Sequence, residues 1–225
     1  MIVAGILFYS CTVLFLVQSK EKAIKQVKEE NKVEVQFLNK IIEGDSENIE
    51  SDMKKMNLSK EKQVGIYIQL GEYEKAYKID KKSDKKIIQL LYKQGKIDQI
   101  KELSLVGSAY LEEVQTILGT KNLSDLLPLL QVDTDSFLVE LIAKKAIEKK
   151  DATILTTIRT QLLDHSSIKL SQKLVSAIYD TLIQLNTDEL EKIYSDSSLS
   201  EEQKKTKTNE LLKENNELLT EKAKE

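Results

Sequence analysis

Three evenly spaced glycines constrain the fold of this chain more than any other feature of its sequence. Gly71, Gly95 and Gly119 follow one another at equal intervals, and each lies between two runs rich in apolar residues. Glycine adopts the left-handed backbone that ends a helix without steric cost, so each site predicts a helix, a turn and a second helix. Such a period is typical of stacked hairpins. We predict an all-α fold of about five short helical hairpins.

The turn at Gly71 resembles the central turn of a tetratricopeptide repeat (TPR). In Gly71-x-Tyr73-x-x-Ala76, the glycine would reverse the chain and the tyrosine would pack between helices. The small alanine would let the second helix approach closely. Because the interval from Gly71 to Gly95 is shorter than the full repeat, we describe the predicted stack as TPR-like.

Two later hairpins are predicted from apolar runs that have no glycine between them. Lys149-Lys150-Asp151 and Asn186-Thr187 supply polar turns where glycine would otherwise stand. They separate two predicted pairs of helices, residues 135–149 with 152–163 and residues 168–185 with 188–194. The predicted hairpin domain then covers residues 45–197.

The chain begins with an apolar segment of sixteen uncharged residues, Ile2–Val17. As a helix rising ~1.5 Å per residue it would span roughly 24 Å, somewhat less than the ~30 Å hydrocarbon core of a bilayer. It lacks the basic start and the small-residue cleavage site of a signal peptide. We therefore predict a transmembrane anchor over residues 1–18, with a cleaved signal or a buried core helix as alternatives. The short span also leads us to expect that the natural chain extends upstream of Met1.

An amphipathic linker helix is predicted between the anchor and the hairpin domain, over residues 19–44. Gly44 and the polar residues after it would end this helix. Its apolar residues recur about every 3.5 residues, as on one side of a long helix, and they are Ile24, Val27, Val35, Leu38 and Ile42.

The tail, residues 198–225, is predicted to form a polar helix that covers the end of the stack. Its start carries two overlapping capping boxes, Ser198-x-x-Glu201 and Ser200-x-x-Gln203. Paired leucines recur at an interval of seven residues within it. We expect the first pair to dock and the last residues to fray; the leucine pairs are Leu211/Leu212 and Leu218/Leu219.

The residues that could carry chemistry form no catalytic or metal-binding pattern. One Cys, one His and 34 basic against 37 acidic residues argue against a disulfide, a Cys/His metal site and a nucleic-acid interface. His165 falls in a predicted inter-helix loop, and Cys11 falls within the apolar segment. Asp133-x-Asp135 begins like a calcium loop but has Leu138 where that loop needs glycine, so we interpret it as a helix N-cap. We predict no enzymatic activity, no metal and no cofactor.

Five tyrosines lie within or beside the first predicted hairpins. Their rings are expected to pack between helices with the hydroxyls at the rim. The alternative is a concave, peptide-binding surface lined by some of them. These residues are Tyr67, Tyr73, Tyr77, Tyr92 and Tyr110.

Three short segments resemble the membrane-distal half of EssB/YukC proteins, core components of type VII secretion systems in Firmicutes. They are Phe37-Leu38-Asn39-Lys40 after the span, Ser136-Phe137-Leu138 before a helix pair, and the helix opening Leu199-Ser200-Glu201-Glu202-Gln203-Lys204. The family's tryptophan and G-R-G turn are absent, and residues 147–150 stand in their place. The resemblance implies an extracytoplasmic helical domain, a homodimer, no catalysis, and partners among the other membrane proteins of the secretion apparatus.

These observations favour a non-catalytic scaffold subunit of a bacterial secretion machine, held in the cell membrane by a single span. The alternative is a cytoplasm-facing TPR-like adaptor that binds a peptide or client protein at the membrane. Topology separates the two. The lysines that follow the span favour a cytoplasmic domain under the positive-inside rule, whereas the resemblance implies the opposite side; they are Lys20, Lys22, Lys25 and Lys28.

Overall fold

Helices are the only regular secondary structure in the part of the chain that the computed structural model describes, residues 32–131, 134–163 and 168–224. The prediction of an all-α fold is confirmed for these residues. Contacts between Cα atoms group the chain into two compact units divided between Glu113 and Val114. This division lies inside the predicted hairpin domain, residues 45–197.

Unit 1 is built from short helices that follow one another closely along the chain. Its described helices are α1 (Lys32–Glu43), α2 (Ile49–Lys55), α3 (Lys60–Gln69), α4 (Tyr73–Ile79), α5 (Ser83–Lys93) and α6 (Ile97–Glu102), and α7 (Ala109–Gly119) lies at the division. Helices adjacent in sequence contact each other at α1/α2, α3/α4, α4/α5 and α5/α6.

Unit 2 contains longer helices. Its described elements after α7 are a 3-10 helix (Leu123–Leu129), α8 (Ser136–Lys149), α9 (Ala152–Thr157) with a π-helical continuation (Ile158–Leu163), α10 (Gln172–Ser195) and α11 (Glu201–Lys222). Helices α8, α9 and α10 contact one another, and α10 packs along α11.

Gly71 and Gly95 end α3 and α5 in the left-handed conformation, with φ of 77° and 72°. At the first site, the Gly71 amide donates to the Ile68 carbonyl at 3.2 Å and the Glu72 amide donates to the Tyr67 carbonyl at 2.8 Å. The same pair of bonds recurs around Gly95. This is the Schellman arrangement, which satisfies the last carbonyls of a helix and reverses the chain.

Gly119 departs from this pattern. It is the last residue of α7, and its φ is not positive. The Lys145 ammonium donates to the carbonyls of Ile117 and Leu118 at 2.8 and 3.1 Å, so a side chain satisfies the end of this helix. A cation at a helix C-terminus also interacts favourably with the helix dipole. The segment that follows is a 3-10 helix containing Pro128, which lacks the amide that an α-helix needs at that position.

The two described pairs α3/α4 and α5/α6 bury the residues that the hairpin pattern selects. Ala76 of α4 is fully buried, and Tyr73 is 8 % exposed. Ile87 and Leu91 of α5 and Ile100 of α6 are completely buried as well. Each pair therefore contributes side chains to one continuous apolar core within unit 1.

The face by which α1 packs differs from the predicted stripe. Phe37 and Ile41 are 2 % and 6 % exposed, whereas Ile42 is 44 % exposed and Val35 and Leu38 are only half-buried. Phe37 and Ile41 are four residues apart and lie on one side of the helix. The apolar arc of α1 is wide, and only the edge that carries Phe37 and Ile41 is fully buried.

The predicted turn at Asn186-Thr187 is wrong, because α10 continues through both residues to Ser195. Neither residue breaks a helix as Gly or Pro would. The Thr187 hydroxyl donates to the Ile183 carbonyl within the helix at 2.8 Å. The Asn186 amide donates to Asn215 Oδ1 of α11 at 3.0 Å. Polar groups that would suit a turn are thus satisfied in a continuous helix.

Helices α10 and α11 run antiparallel as one long hairpin. Lys204 at the start of α11 bonds the Tyr194 carbonyl near the end of α10, and Lys222 at the other end pairs with Asp180. Leu218 of α11 is fully buried. The predicted capping box at Ser200 and Gln203 is confirmed, with both of its hydrogen bonds present.

Replacing Gly71 by alanine is predicted to destabilise unit 1. A Cβ added at Gly71 or at Gly119 would meet no atom within 4 Å, so the two sites differ in backbone conformation and not in space. Gly71→Ala places a Cβ at φ of 77° and should lower the free energy of unfolding by about 1–2 kcal/mol. Gly119→Ala, the matched control, should leave it unchanged or raise it by up to about 1 kcal/mol. Urea unfolding followed by circular dichroism measures the stability of both variants. Equal losses of unfolding free energy would contradict the assignment of a left-handed backbone to Gly71 and not to Gly119.

The Asn186–Asn215 hydrogen bond is predicted to set the register of α10 against α11. Asn215→Leu leaves the Asn186 amide without this partner and should cost about 1 kcal/mol. The double variant Asn186→Leu/Asn215→Leu should cost less than the sum of the single variants, with a coupling of about 0.5–1.5 kcal/mol in a double-mutant cycle. The exposed neighbour gives the control, since Asn216→Leu should change stability by less than about 0.5 kcal/mol. Strict additivity of the two single changes would refute the proposed register role.

Candidate interaction surfaces

The predicted tyrosine cluster lies largely inside unit 1. Tyr67, Tyr73, Tyr77 and Tyr110 are between 3 % and 8 % exposed, and Tyr92 is half-buried. Their rings therefore pack between helices and present little area to a ligand. Burial raises the pKa of Tyr67 and of Tyr73 above the ordinary value of a phenol.

Lysines cover the outer faces of three of these rings. The ammonium groups of Lys75, Lys81 and Lys85 lie 5.8, 4.0 and 4.8 Å from ring centroids. The rings concerned belong to Tyr67, Tyr77 and Tyr110, in that order. Such cation–π contacts stabilise the packed arrangement by about 0.5–1 kcal/mol each at exposed sites, and they place positive charge around the tyrosines.

Tyr67 borders a surface depression. Tyr67 lines a groove of about 460 Å³ in unit 1, together with Asn48, Glu50, Lys54 and Lys75. We call this the Tyr67 groove. The walls of this groove are formed by the loop before α2, by α2 itself and by the α3/α4 pair.

The charges of the Tyr67 groove are already paired. Lys54 Nζ lies 2.7 Å from Glu50 Oε1, and Lys75 Nζ lies 3.2 Å from a carboxylate oxygen of Glu72. The hydrogen bond between Lys54 and Glu50 raises the pKa of the lysine and lowers the pKa of the carboxyl group. A bound peptide could exchange partners with these exposed pairs, since surface ion pairs contribute little stability.

A second surface lies on α11. Leu212 and Leu219 are 47 % and 52 % exposed. They alternate with Asn209 and Asn216 along one side of the helix. We call these four residues the Leu212 face. Three of these residues, Asn209, Leu212 and Asn216, line a groove of about 570 Å³ together with Lys213 and Glu217.

The expected docking of the tail is therefore only partly right. Leu211 is half-buried and Leu218 is fully buried, but Leu212 lies exposed. The helix continues to Lys222, which is held by Asp180, instead of fraying at that residue. The interval of seven residues predicted two leucine pairs, but it did not show that one leucine of each pair would face outward.

The other residues considered for chemistry have structural roles or lie outside the described residues. Asp135 is the N-cap of α8, and its carboxylate accepts a hydrogen bond from the Phe137 amide at 3.0 Å. Cys11, Asp133 and His165 lie outside the described residues. Among residues that the structure describes, no three His, Cys, Asp or Glu side chains are placed to hold a metal ion together.

Comparison with known proteins adds no relative. No protein-family model, curated protein or solved structure matches the chain. Within residues 32–131, 134–163 and 168–224, no helix has both the length and the apolar character needed to cross a bilayer. The predicted anchor, residues 1–18, lies outside those ranges.

Proposed function

We propose that this chain is a non-catalytic, membrane-anchored scaffold subunit of a bacterial secretion machine of the type VII kind. Its TPR-like helical hairpins hold other membrane proteins of the machine together. The uncharged segment Ile2–Val17 serves as the single span. The helical units lie on the extracytoplasmic side, as the likeness to EssB/YukC proteins suggests.

The observation that carries this proposal is the construction of both units from consecutive packed helices with solvent-facing sides. In unit 1 the chemically distinctive tyrosines are used for packing. Stacked hairpins of this kind present broad surfaces, which suits binding between proteins. The Leu212 face and the Tyr67 groove give the scaffold two separate places for contact.

The three segments behind the EssB/YukC resemblance occupy defined positions in the helices. Phe37-Leu38-Asn39-Lys40 lies within α1, where Phe37 anchors the helix in unit 1. Ser136-Phe137-Leu138 opens α8, and the Leu199 segment opens α11 with its capping box. Each marks the start or the docking point of a helix.

Affinity capture from detergent-solubilised membranes tests the scaffold function. The tagged full chain, produced in the bacterium that encodes it, should recover a reproducible set of integral membrane proteins of one secretion apparatus. The matched control is a chain that begins at Lys32 and so keeps every helix that the structure describes in the two units. Because this control lacks the predicted anchor, it should recover at least about tenfold less of these membrane proteins than the full chain does. Membrane anchoring raises the effective concentration of the partners.

Deleting residues 19–43 would be a poor control for that experiment. Phe37 and Ile41 belong to the core of unit 1, so this deletion removes part of the folded unit together with the linker. The scaffold function would be refuted if the tagged chain recovered only soluble proteins. It would also be refuted if the tagged chain recovered no proteins beyond those from an untagged strain.

The alternative, a cytoplasm-facing adaptor for a peptide, is favoured by the Tyr67 groove with its exchangeable ion pairs. Topology decides between the two. Ser104 is exposed in the loop between α6 and α7, so Ser104→Cys in a Cys11→Ser background offers one thiol for labelling. The scaffold function predicts labelling of intact cells by an impermeant maleimide, whereas labelling that requires lysis supports the adaptor.

A further inference from the structure

We propose that the outward side of α5 is a membrane-contact surface, whose lysines lie against the anionic headgroups of a lipid bilayer. We call Lys82, Lys86 and Lys93 the α5 lysine stripe. A lipid partner for unit 1 goes beyond the proposed scaffold function and rests on it only for the predicted anchor. It is supported by the spacing of these lysines, by the bonding of the nearby carboxylates and by the pairing of lysines elsewhere in unit 1.

The α5 lysine stripe occupies one side of an amphipathic helix. Lys82, Lys86 and Lys93 are exposed, and intervals of four and seven residues place them within about 40° of one another around the helix axis. Lys82 precedes the first helical residue but already has helical backbone angles, with φ of −77° and ψ of −3°. Ile87 and Leu91, on the other side of α5, are completely buried. The stripe is therefore about 16 Å long and faces away from the core of unit 1.

The carboxylates that lie close to the stripe in sequence are bonded elsewhere. Asp84 Oδ2 accepts a hydrogen bond from the Ser108 hydroxyl at 2.7 Å, and its Oδ1 accepts one from the Lys85 amide at 2.7 Å. Asp80 Oδ1 accepts a hydrogen bond from the Lys82 amide at 2.9 Å. Lysines and acids are interspersed along residues 80–86, but folding uses these acids for bonds within unit 1 and leaves the lysine side chains outside.

The stripe differs in its pairing from other lysines of unit 1. Lys54, Lys75 and Lys101 each form an ion pair with a carboxylate three or four residues away. Within the part of the chain that the structure describes, no carboxylate pairs with any of the three stripe lysines. A line of positive charge thus lies on the surface of a chain whose formal net charge is −3, and it produces a local positive potential.

An anionic membrane surface suits this stripe better than a protein partner does. Lysine is a compact point charge and lacks the planar fork with which arginine holds a carboxylate at two points. Attraction to the diffuse potential of anionic headgroups needs no fixed geometry. The stripe contains no apolar side chain, and the cores of protein interfaces are depleted of lysine.

The predicted anchor would keep the stripe close to a bilayer. Residues 19–31 join that anchor, residues 1–18, to α1 of unit 1. Because an extended chain spans at most about 3.5 Å per residue, this connection reaches no further than roughly 50 Å. Such a tether raises the effective concentration of headgroups around unit 1, so weak contacts from three lysines suffice to hold α5 at the surface.

Energy transfer between α5 and the lipid surface tests this contact with the full chain. Gln89→Cys in a Cys11→Ser background carries a fluorescent donor, because residue 89 lies on the same side of α5 as the stripe. The chain is reconstituted into vesicles of phosphatidylcholine, alone or with about 30 % phosphatidylglycerol, that contain an acceptor on a lipid headgroup.

Transfer should be at least about twofold higher in the anionic vesicles at about 0.1 M salt. This excess should disappear at about 1 M salt, where the Debye length falls to about 3 Å. Equal transfer in the two kinds of vesicle at low salt would overturn the proposed contact.

Charge variants assign the excess transfer to the stripe. Lys82→Gln/Lys86→Gln/Lys93→Gln should abolish it, whereas arginine at the same three positions should keep it. The matched control removes the same charge from three exposed lysines of unit 2 and should keep the excess; it is Lys121→Gln/Lys205→Gln/Lys207→Gln. Thermal unfolding of each variant should match that of the unmodified chain, since the changed side chains are exposed. An equal loss in the control, or no loss in the stripe variant, would overturn the assignment.

Inorganic phosphate distinguishes a membrane surface from a binding site for a single phosphate group. At equal ionic strength, phosphate should lower the transfer no more than chloride does, because the three lysines act together on a charged surface. A loss of transfer with phosphate but not with chloride would overturn the membrane contact.

Flotation of the same vesicles separates this inference from the scaffold function. The predicted anchor requires that the full chain floats with uncharged vesicles after a wash in high salt. If the chain floats with both kinds of vesicle but shows no excess transfer, the membrane contact is wrong and the anchored scaffold remains. If it floats only with anionic vesicles at low salt, and the stripe variant does not, the anchor is wrong and the membrane contact remains.

Discussion

Short helices that cannot persist alone in water are the constraint on which unit 1 depends. Helices α4 (Tyr73–Ile79) and α6 (Ile97–Glu102) have fewer than two full turns each. An isolated helix of this length is marginal in water even with a favourable sequence, because the cost of nucleation is not repaid. Their stability therefore comes from packing against the preceding helix. The reversals at Gly71 and Gly95 bring each short helix back onto its neighbour, so the fold of unit 1 follows from how its helices end.

The parts of the fold that sequence could predict are those set by local chemistry. Left-handed glycines and the Ser200/Gln203 capping box act within a few residues, and their geometry follows from backbone sterics and hydrogen bonding. Gly119 differs because Lys145, which lies on the next α-helix, satisfies the carbonyls that a glycine turn would otherwise serve. Asn186 differs because its partner, Asn215, lies on another helix. Both departures arise from tertiary contacts that no local pattern contains.

The same distinction between local patterns and tertiary contacts applies to the candidate surfaces. Apolar periodicity showed that α1 and α11 are amphipathic, but periodicity does not determine which edge of a wide apolar arc meets a neighbour. Phe37 and Ile41 are buried, and α1 contacts α2, where Lys40 bonds Asp52 at 2.8 Å. That hydrogen bond raises the pKa of Lys40 and lowers the pKa of Asp52. Exposed apolar residues such as Leu212 can be identified only once the buried edge of each helix is known.

Helix α11 has an inward side that packs against α10 and an outward side whose leucines stay about half exposed. Its inward side already contains what the hairpin with α10 uses: Leu218, the Asn215 amide and the end contacts of Lys204 and Lys222. The outward leucines, Leu212 and Leu219, are only about half covered, so they contribute less to that hairpin than Leu218 does. Two such leucines at an interval of one heptad, with asparagines between and before them, form a pattern that a solitary helix does not need.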